Sequence, residues 1–582
     1  MHSFRVWAPL PKKVELQIGG KRFPMADEPG GWRVAEIPGA GPGDEYGFVV
    51  DDQGPFPDPR SPCQPHGVHG LSRVVDDGAY AWTDTQFQAP PLSAAIVYEL
   101  HIGTFTPAGT FIAAIEKLEH LVSLGVTHVE LMPVVEFDGT RGWGYDGVDL
   151  FAPHHSYGPP DDLKKLVAAC HMRGLAVILD VVYNHLGPSG NYLGKYGPYF
   201  TKKFATFWGE GINFDGPDSG EVRRFFCDNA LRWLRDFHFD GLRLDAVHGI
   251  LDTSAIHILE QLKLEVEALS ARTGRHLVLI PESDLNDPRL LWSRERGGYQ
   301  LDAQWSDDFH HALHTVLTGE TTGYYSDFGK LEHLAKALQN AFVYNGTFSE
   351  HRRRVHGRPV AGLSGHRFLG YLQNHDQIGN RAVGDRSARV MSLGRLKAGA
   401  ALVLASPFTP MLFQGEEWGA STPFCYFTDY QEPALAQAVR EGRCREFAVF
   451  GWKPEDTADP QAPETFQHSK LNWNELAGAP HAQILEWHKR LIHLRRSEAS
   501  LADGELNLVH VRFDDERRWL VVERGPVTVA CNFSHERQAV PVGPGIKQVL
   551  MASDSSVSVS NDHVDLPPDS VAILKHGALA TS

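Results

Sequence analysis

The chain has 582 residues, too many for one hydrophobic core, so several domains are expected. With 72 acidic against 55 basic residues and a formal net charge of −17, it is a poor partner for nucleic acid or an anionic membrane, and a neutral ligand fits best. Six cysteines with no CxxC spacing suit reduced thiols in a cytoplasm better than a disulfide framework or a zinc site.

The opening MHSFRVWAPL has no basic segment followed by an apolar run, so no secretory signal is expected. The longest apolar stretch, GAALVLASPFTPMLF (399–413), is too short to span a bilayer and contains prolines. Residues 1–90 read as an N-terminal β-sandwich: VELQI (14–18) and GWRVAEI (31–37) alternate at period two beside Gly/Pro-rich turns. The GAGPG glycines (39–43) are a turn and not a phosphate loop, because neither a helix nor a lysine follows them. QAPPLSAA (88–95) marks a boundary.

From Ile96 onward, strands alternate with amphipathic helices. Strand candidates lie at 95–105, 126–134, 175–185, 241–247, 276–284, 301–308, 366–376 and 409–418. A helix at 110–125 is expected to bury Ile112, Ile115, Leu118 and Leu121, and a last helix (482–496) Ile484, Trp487, Leu491 and Leu494. Eight apolar strands separated by helices predict an α/β fold, a (β/α)8 TIM barrel over 91–498 with a short subdomain loop at 186–220. No glycine-rich dinucleotide fingerprint supports the doubly wound alternative. LNLVHVRF, WLVVERG and VTVACNF predict a C-terminal antiparallel β-sandwich over 499–582.

The chemistry lies at the strand ends. In GLRLDAVHGI (241–250), Arg243 and Asp245 are two apart on a strand and share a face. As structure alone, a buried pair of this kind returns little for its desolvation. Other strands end in the same way: Asp180, Asn184 and His185; Glu282 and Asp284; Asp307 and Asp308; His375 and Asp376. Like charges gathered on one rim repel unless chemistry needs them. Paired carboxylates flanked by Arg, His and aromatics suit glycosidic bond chemistry, in which one carboxyl protonates the leaving oxygen and another attacks the sugar.

DVVYNH (180–185), GLRLDAVH (241–248), the glutamate of LIPESD (279–284) and QNHDQ (373–377) resemble, in order, the α-amylase superfamily of retaining glycosidases. The resemblance implies that Asp245 is the nucleophile, Glu282 the general acid/base and Asp376 the third carboxylate. It implies that His185, Arg243 and His375 contact the reactive sugar and that Tyr145 stacks on it. Asp146, Leu244, Ala246, Val247, His248, Gln377 and Asn380 flank these motifs and join the candidate substrate-binding set. RGWGYDGVDLFAPHHSYGPPDDLK, NHLGPSGNYLGKYGPYFT, QWSDDFHHALHTVLTGE and NHDQIGNRAVGDR are similar to a branch of the superfamily whose members cut the α-1,4 bond next to a terminal trehalose unit. The implied substrate is maltooligosyl trehalose or a related α-glucan, with a maltooligosyltrehalose synthase as a working partner. Asp307, Asp308, Phe309, His310 and His311 are then expected to receive the trehalose end.

Plainer readings stand beside these. His310, His311 and His314 have helical metal-ligand spacing but no HExxH, so neither zinc nor any other metal or cofactor is expected. Asn184 matches a calcium-binding position of many α-amylases, yet no acidic cluster completes a cage, and a structural hydrogen bond is expected instead. The loop aromatics Trp143, Phe207 and Trp208 either contact sugar or anchor their loops, with Trp208 placed in the binding set. Glu416 and Glu417 are rim or structural groups. The rival activities are a branching enzyme with the same carboxylates and an inactive glycan-binding scaffold.

Overall fold

The computed structural model describes residues 1–206, 209–448, 451–453 and 456–577. The N-terminal strands pair antiparallel in two sheets. One has the order His2–Trp7, Trp32–Ile37, Ala26–Glu28; the other runs Lys21–Pro24, Val14–Ile18, Glu45–Val50, Gln53–Phe56. Alternation buries Phe4, Val6, Leu16 and Phe48 between them. Trp7 meets Tyr199 edge-on at 5.3 Å, and the Tyr196 hydroxyl donates to the Pro57 carbonyl at 2.8 Å. The sandwich therefore braces the 186–220 loop.

All eight expected barrel strands are present: Val97–Leu100, His128–Leu131, Ala176–Val181, Gly241–Leu244, Val278–Pro281, Gln304–Trp305, Phe368–Gly370 and Thr409–Phe413. We number them one to eight. They form one parallel sheet in the order five, four, three, two, one, eight, seven, six. At the seam between strands five and six, the Asp302 N–H donates to Leu279 O at 2.9 Å. Strand residues are buried on both faces, which is why they read as apolar runs. Helices such as Pro160–His171, Ser219–Asp236 and Ile258–Thr273 cover the outside. Proline at N1 with Asp161 and Asp162 behind it starts the first of these, as the helix dipole favours.

The expected helix at 110–125 is two short ones, Phe111–Ile115 and Leu118–Leu124. Between them the chain turns at Glu116 and Lys117, so the inward face is Phe111, Ala114, Leu118 and Leu121, and Ile112 is 41% exposed. The larger Phe111 takes the buried place expected of Ile112. His481–Ser497 buries Ile484, Trp487, Leu491 and Leu494 as its periodicity predicts. Beyond it, a five-stranded antiparallel sheet and a three-stranded one close over Val521, Ala530, Val540, Val564 and Leu574. Arg395 ties this sandwich to the barrel through Asp569 at 2.8 Å. Among the described residues, no helix is long and apolar enough to cross a membrane.

Candidate active site

Arg243 organises the C-terminal mouth of the barrel. Its guanidinium is 2% exposed. Nη1 donates to Asp180 Oδ2 and to Asp245 Oδ1, each at 2.7 Å, and Nη2 lies 3.3 Å from Glu282 Oε2. The Trp305 ring backs the cation at 4.3 Å. Strand four stops at Leu244, and Ala246 then takes a left-handed conformation (φ 36°) that turns the chain back. The turn aims the Ala246 N–H at Glu282 Oε2 (2.6 Å) and the Val247 N–H at Glu282 O (3.0 Å). From strand three, Asn184 Nδ2 donates to Asp245 Oδ2 at 2.8 Å and to its carbonyl at 2.7 Å.

The two carboxyls on this fork are shifted in opposite directions. For Asp245, burial opposes ionisation, but Arg243, His185 and the hydrogen bonds from Asn184 and Arg243 outweigh it and hold the group below its ordinary range. For Glu282, burial dominates, Arg243 offsets part of it and Asp245 repels, so its pKa is raised. One carboxyl shifted toward ionisation beside another shifted toward holding its proton is the division of labour that acid-assisted displacement at a sugar requires. Asp376 is exposed to the cleft and accepts from Asn380 Nδ2 at 2.6 Å, while Arg443 holds the Asn380 oxygen at 2.9 Å. Asp180 is pushed up to about 7, chiefly by burial, and accepts from Tyr145 Oη at 2.6 Å.

Most of the expected site converges here. Tyr145 lies nearly parallel to His375, with ring centroids 5.0 Å apart. Asp307 is held by the Tyr371 hydroxyl, and burial, then its Glu282 and Asp376 neighbours, push its pKa well above the usual carboxylate range. His248 lies 3.9 Å from Asp284, which Arg352 also pairs at 3.0 Å. Gln377 is buried, with its N–H on Asn374 Oδ1. Asp146 pairs with the Tyr430 hydroxyl, and burial lifts it to about 6.

Others do not present their side chains. Leu244, Val247 and Phe309 are core residues, the last packed on Phe408 at 5.0 Å. Asp308 is 7% exposed and accepts from Asn286 Nδ2, Val343 N–H and Tyr344 N–H, so it pins a loop. His310 bonds Tyr325 Oη at 3.1 Å and His314 bonds Glu320 at 2.7 Å, which turns the histidine run away from a shared metal. His185 directs Nε2 to the Tyr145 carbonyl (2.8 Å) and Nδ1 to Asn184, whose amide in turn bonds Asp245. Trp143 is buried and donates to Cys425 O. Phe207 and Trp208 lie outside the described residues. Glu417 is buried on Tyr98 and His120, and Glu416 on the Phe413 N–H, which makes both structural.

Two features were missed. Glu99 and Glu130, in VYEL and HVEL, stand side by side inside the barrel, and an acid within a buried strand was the available signal. Tyr324, on the turn Gly323–Asp327, sits over His311 at 5.1 Å near the Asp376 and Asp307 carboxyls. The aromatic pair in GYYSD marked it. Away from the cleft, Glu136, His154 and His155 bring potential ligand atoms within 4.8 Å of one another. There His155 Nδ1 already bonds Glu136 at 2.7 Å, and His154 Nδ1 accepts the Ser156 N–H, leaving its proton on Nε2. That is a hydrogen-bonded cluster and a poor ligand set.

The α-amylase catalytic domain family matches residues 78–208, and a domain of unknown function (DUF3459) matches 507–573. A malto-oligosyltrehalose trehalohydrolase from Rhizobium sp. (strain M-11) is 49% identical, covering 98% of this chain and 97% of that protein. One from Mycobacterium tuberculosis is also 49% identical, over 99% of each. Among solved structures, a putative alpha amylase from Salmonella typhimurium superimposes with a TM-score of 0.91 at 41% identity, covering 99% of this chain and 97% of that one.

Proposed function

The chain belongs to the malto-oligosyltrehalose trehalohydrolases, glycoside hydrolases of the α-amylase type, and we propose that it cleaves the α-1,4 bond next to the terminal trehalose unit of maltooligosyl trehalose. The products are trehalose and a maltooligosaccharide. In the first step Asp245 attacks the anomeric carbon while Glu282 gives its proton to the leaving oxygen, forming a glycosyl–Asp245 ester. In the second, Glu282 takes a proton from water, whose oxygen displaces Asp245 and restores both groups. The observation that carries this reading is the single Arg243 fork, which holds the Asp245 carboxyl below its ordinary range beside a Glu282 carboxyl raised above its own.

Asp376 grips the hydroxyls of the distorting sugar, and Tyr145 and His375 form the wall it lies against. On the leaving-group side, Asp307, His311 and Tyr324 build the pocket for the α,α-1,1 bend of trehalose. Polar groups that only the right hydroxyls satisfy discriminate strongly against a straight glucan. A branching enzyme would pass the glycosyl unit to a 6-hydroxyl instead of water; the DDFHH run and the GNYLGKYGPYFT loop support the hydrolase. We assign the substrate's supply to a maltooligosyltrehalose synthase. The six unpaired cysteines support a reducing cytoplasm. Functional division of the chain falls near residues 90 and 499. Maltotriosyl trehalose and maltopentaose compared at equal concentration test the reading. Trehalose should dominate from the first and the second should react far more slowly. Equal rates, or α-1,6-branched products, overturn it.

A further inference from the structure

Glu99 lies inside the barrel on strand one, 1% exposed, and the chemistry above makes no use of it. Its carboxylate accepts twice from one residue. Oε2 takes the backbone N–H of His375 at 3.0 Å, and Oε1 takes the ring Nδ1. An ionised carboxylate cannot donate, so Nδ1 carries a proton. A neutral imidazole has only one N–H, so a neutral His375 would turn a lone pair on Nε2 toward the cleft. Nε2 can donate to a sugar hydroxyl only if the ring is an imidazolium.

The surroundings favour the cation. Burial works against charge on His375, and Arg243 on strand four adds to that, but Glu99 and Asp376 outweigh both and raise its pKa. On strand two, Glu130 is the register partner of Glu99; burial, then the Glu99 and Asp180 carboxyls, raise its pKa, which disfavours a second anion there. Asp180 on strand three is engaged by Arg243 and Tyr145. His101, after strand one, is held neutral by burial, its pKa lowered to about 3. Tyr145, Trp143 and Trp305 supply the remaining ring contacts.

We propose that Glu99 is a positioning residue that fixes the His375 ring and keeps it an imidazolium, so that Nε2–H is a cationic donor to the sugar lying against Tyr145. This rests on the glycoside hydrolase reading. The test is Glu99→Gln, whose amide oxygen can accept only one of the two His375 N–H groups. kcat should fall about 10- to 100-fold with little change in KM, the worth of one charge-assisted hydrogen bond. The loss should deepen as pH rises past the ordinary histidine pKa of about 6.5. Added to His375→Gln, Glu99→Gln should cost nothing further, because Glu99 acts through that ring. In ¹⁵N-histidine spectra, the signals that His375→Gln removes should be of imidazolium type in the parent at neutral pH and of neutral type in Glu99→Gln. A loss equal at every pH, or one that adds in full to His375→Gln, overturns the proposal. If Glu99→Gln melts abnormally, Glu99→Asp must retain the imidazolium signals, and their absence there overturns it equally. All rates are taken relative to the parent on whichever α-glucan it cleaves, so failure of the trehalose assignment remains a separate result.

Discussion

Asn184→Asp changes one amide to a carboxylate without changing its shape, which isolates the electrostatics around Asp245. In the parent, Asn184 Nδ2 donates to Asp245 Oδ2 at 2.8 Å. The variant replaces that donor with a negative charge roughly 4 Å from the Asp245 charge centre. At an effective dielectric near 20, the repulsion is about 4 kcal/mol, or about 3 pH units. Asp245 begins below its ordinary range and must be ionised to attack. In the variant the two carboxyls share a proton, and the pair titrates its last proton several units higher. The acid limb of kcat/KM should therefore move from below about pH 4 toward neutrality, with activity recovering as pH rises. The assay is kcat/KM on maltotriosyl trehalose from pH 4 to 9, with a thermal melt at each pH. An acid limb that stays in place in folded protein would refute the claim that Asn184 and Arg243 together keep the attacking carboxylate charged.

Asp245→Asn, Glu282→Gln and Asp376→Asn should each lower kcat by at least about 10²–10⁴-fold, with melting temperatures near the parent's. Near-normal turnover in folded Asp245→Asn would remove it as nucleophile. Away from the cleft, His171 is buried between Asp84 (2.6 Å) and Asp240 (2.9 Å), and Asp84 also holds His238 at 2.8 Å. Burial opposes a charge on His171, but the two carboxylates raise its pKa. Burial also opposes ionisation of Asp84, but both histidines lower its pKa. The His171 contribution is complete below about pH 6.5 and is lost as pH rises through its raised pKa. The Asp84 contribution is present above about pH 4 and is lost as pH falls through its lowered one. His171→Asn should cost about 3 kcal/mol near pH 6 in denaturant unfolding, with a smaller penalty at pH 9. A pH-independent penalty would mean that packing, and not the ion cluster, is at stake.

The sequence by itself determined the eight barrel strands and the polar residues gathered at their ends. Barrel strands are buried on both faces and stay apolar until they reach the mouth, so Asp180, Arg243, Asp245, Glu282 and Asp376 stood out at the ends of recognisable runs. Only the tertiary structure decided how the surroundings bias these groups, because ionisation follows burial and the distance to a partner on another strand. On the Arg243 fork Asp245 is shifted below its ordinary range and Glu282 above its own. Neighbours in sequence also part, as Asp307 reaches the cleft while Asp308 pins a loop and Phe309 fills the core. Glu99 looked like one polar residue in a buried strand because its partner His375 lies 276 residues away. Barrel closure brings strands one and seven around the same interior, and no local pattern encodes that meeting.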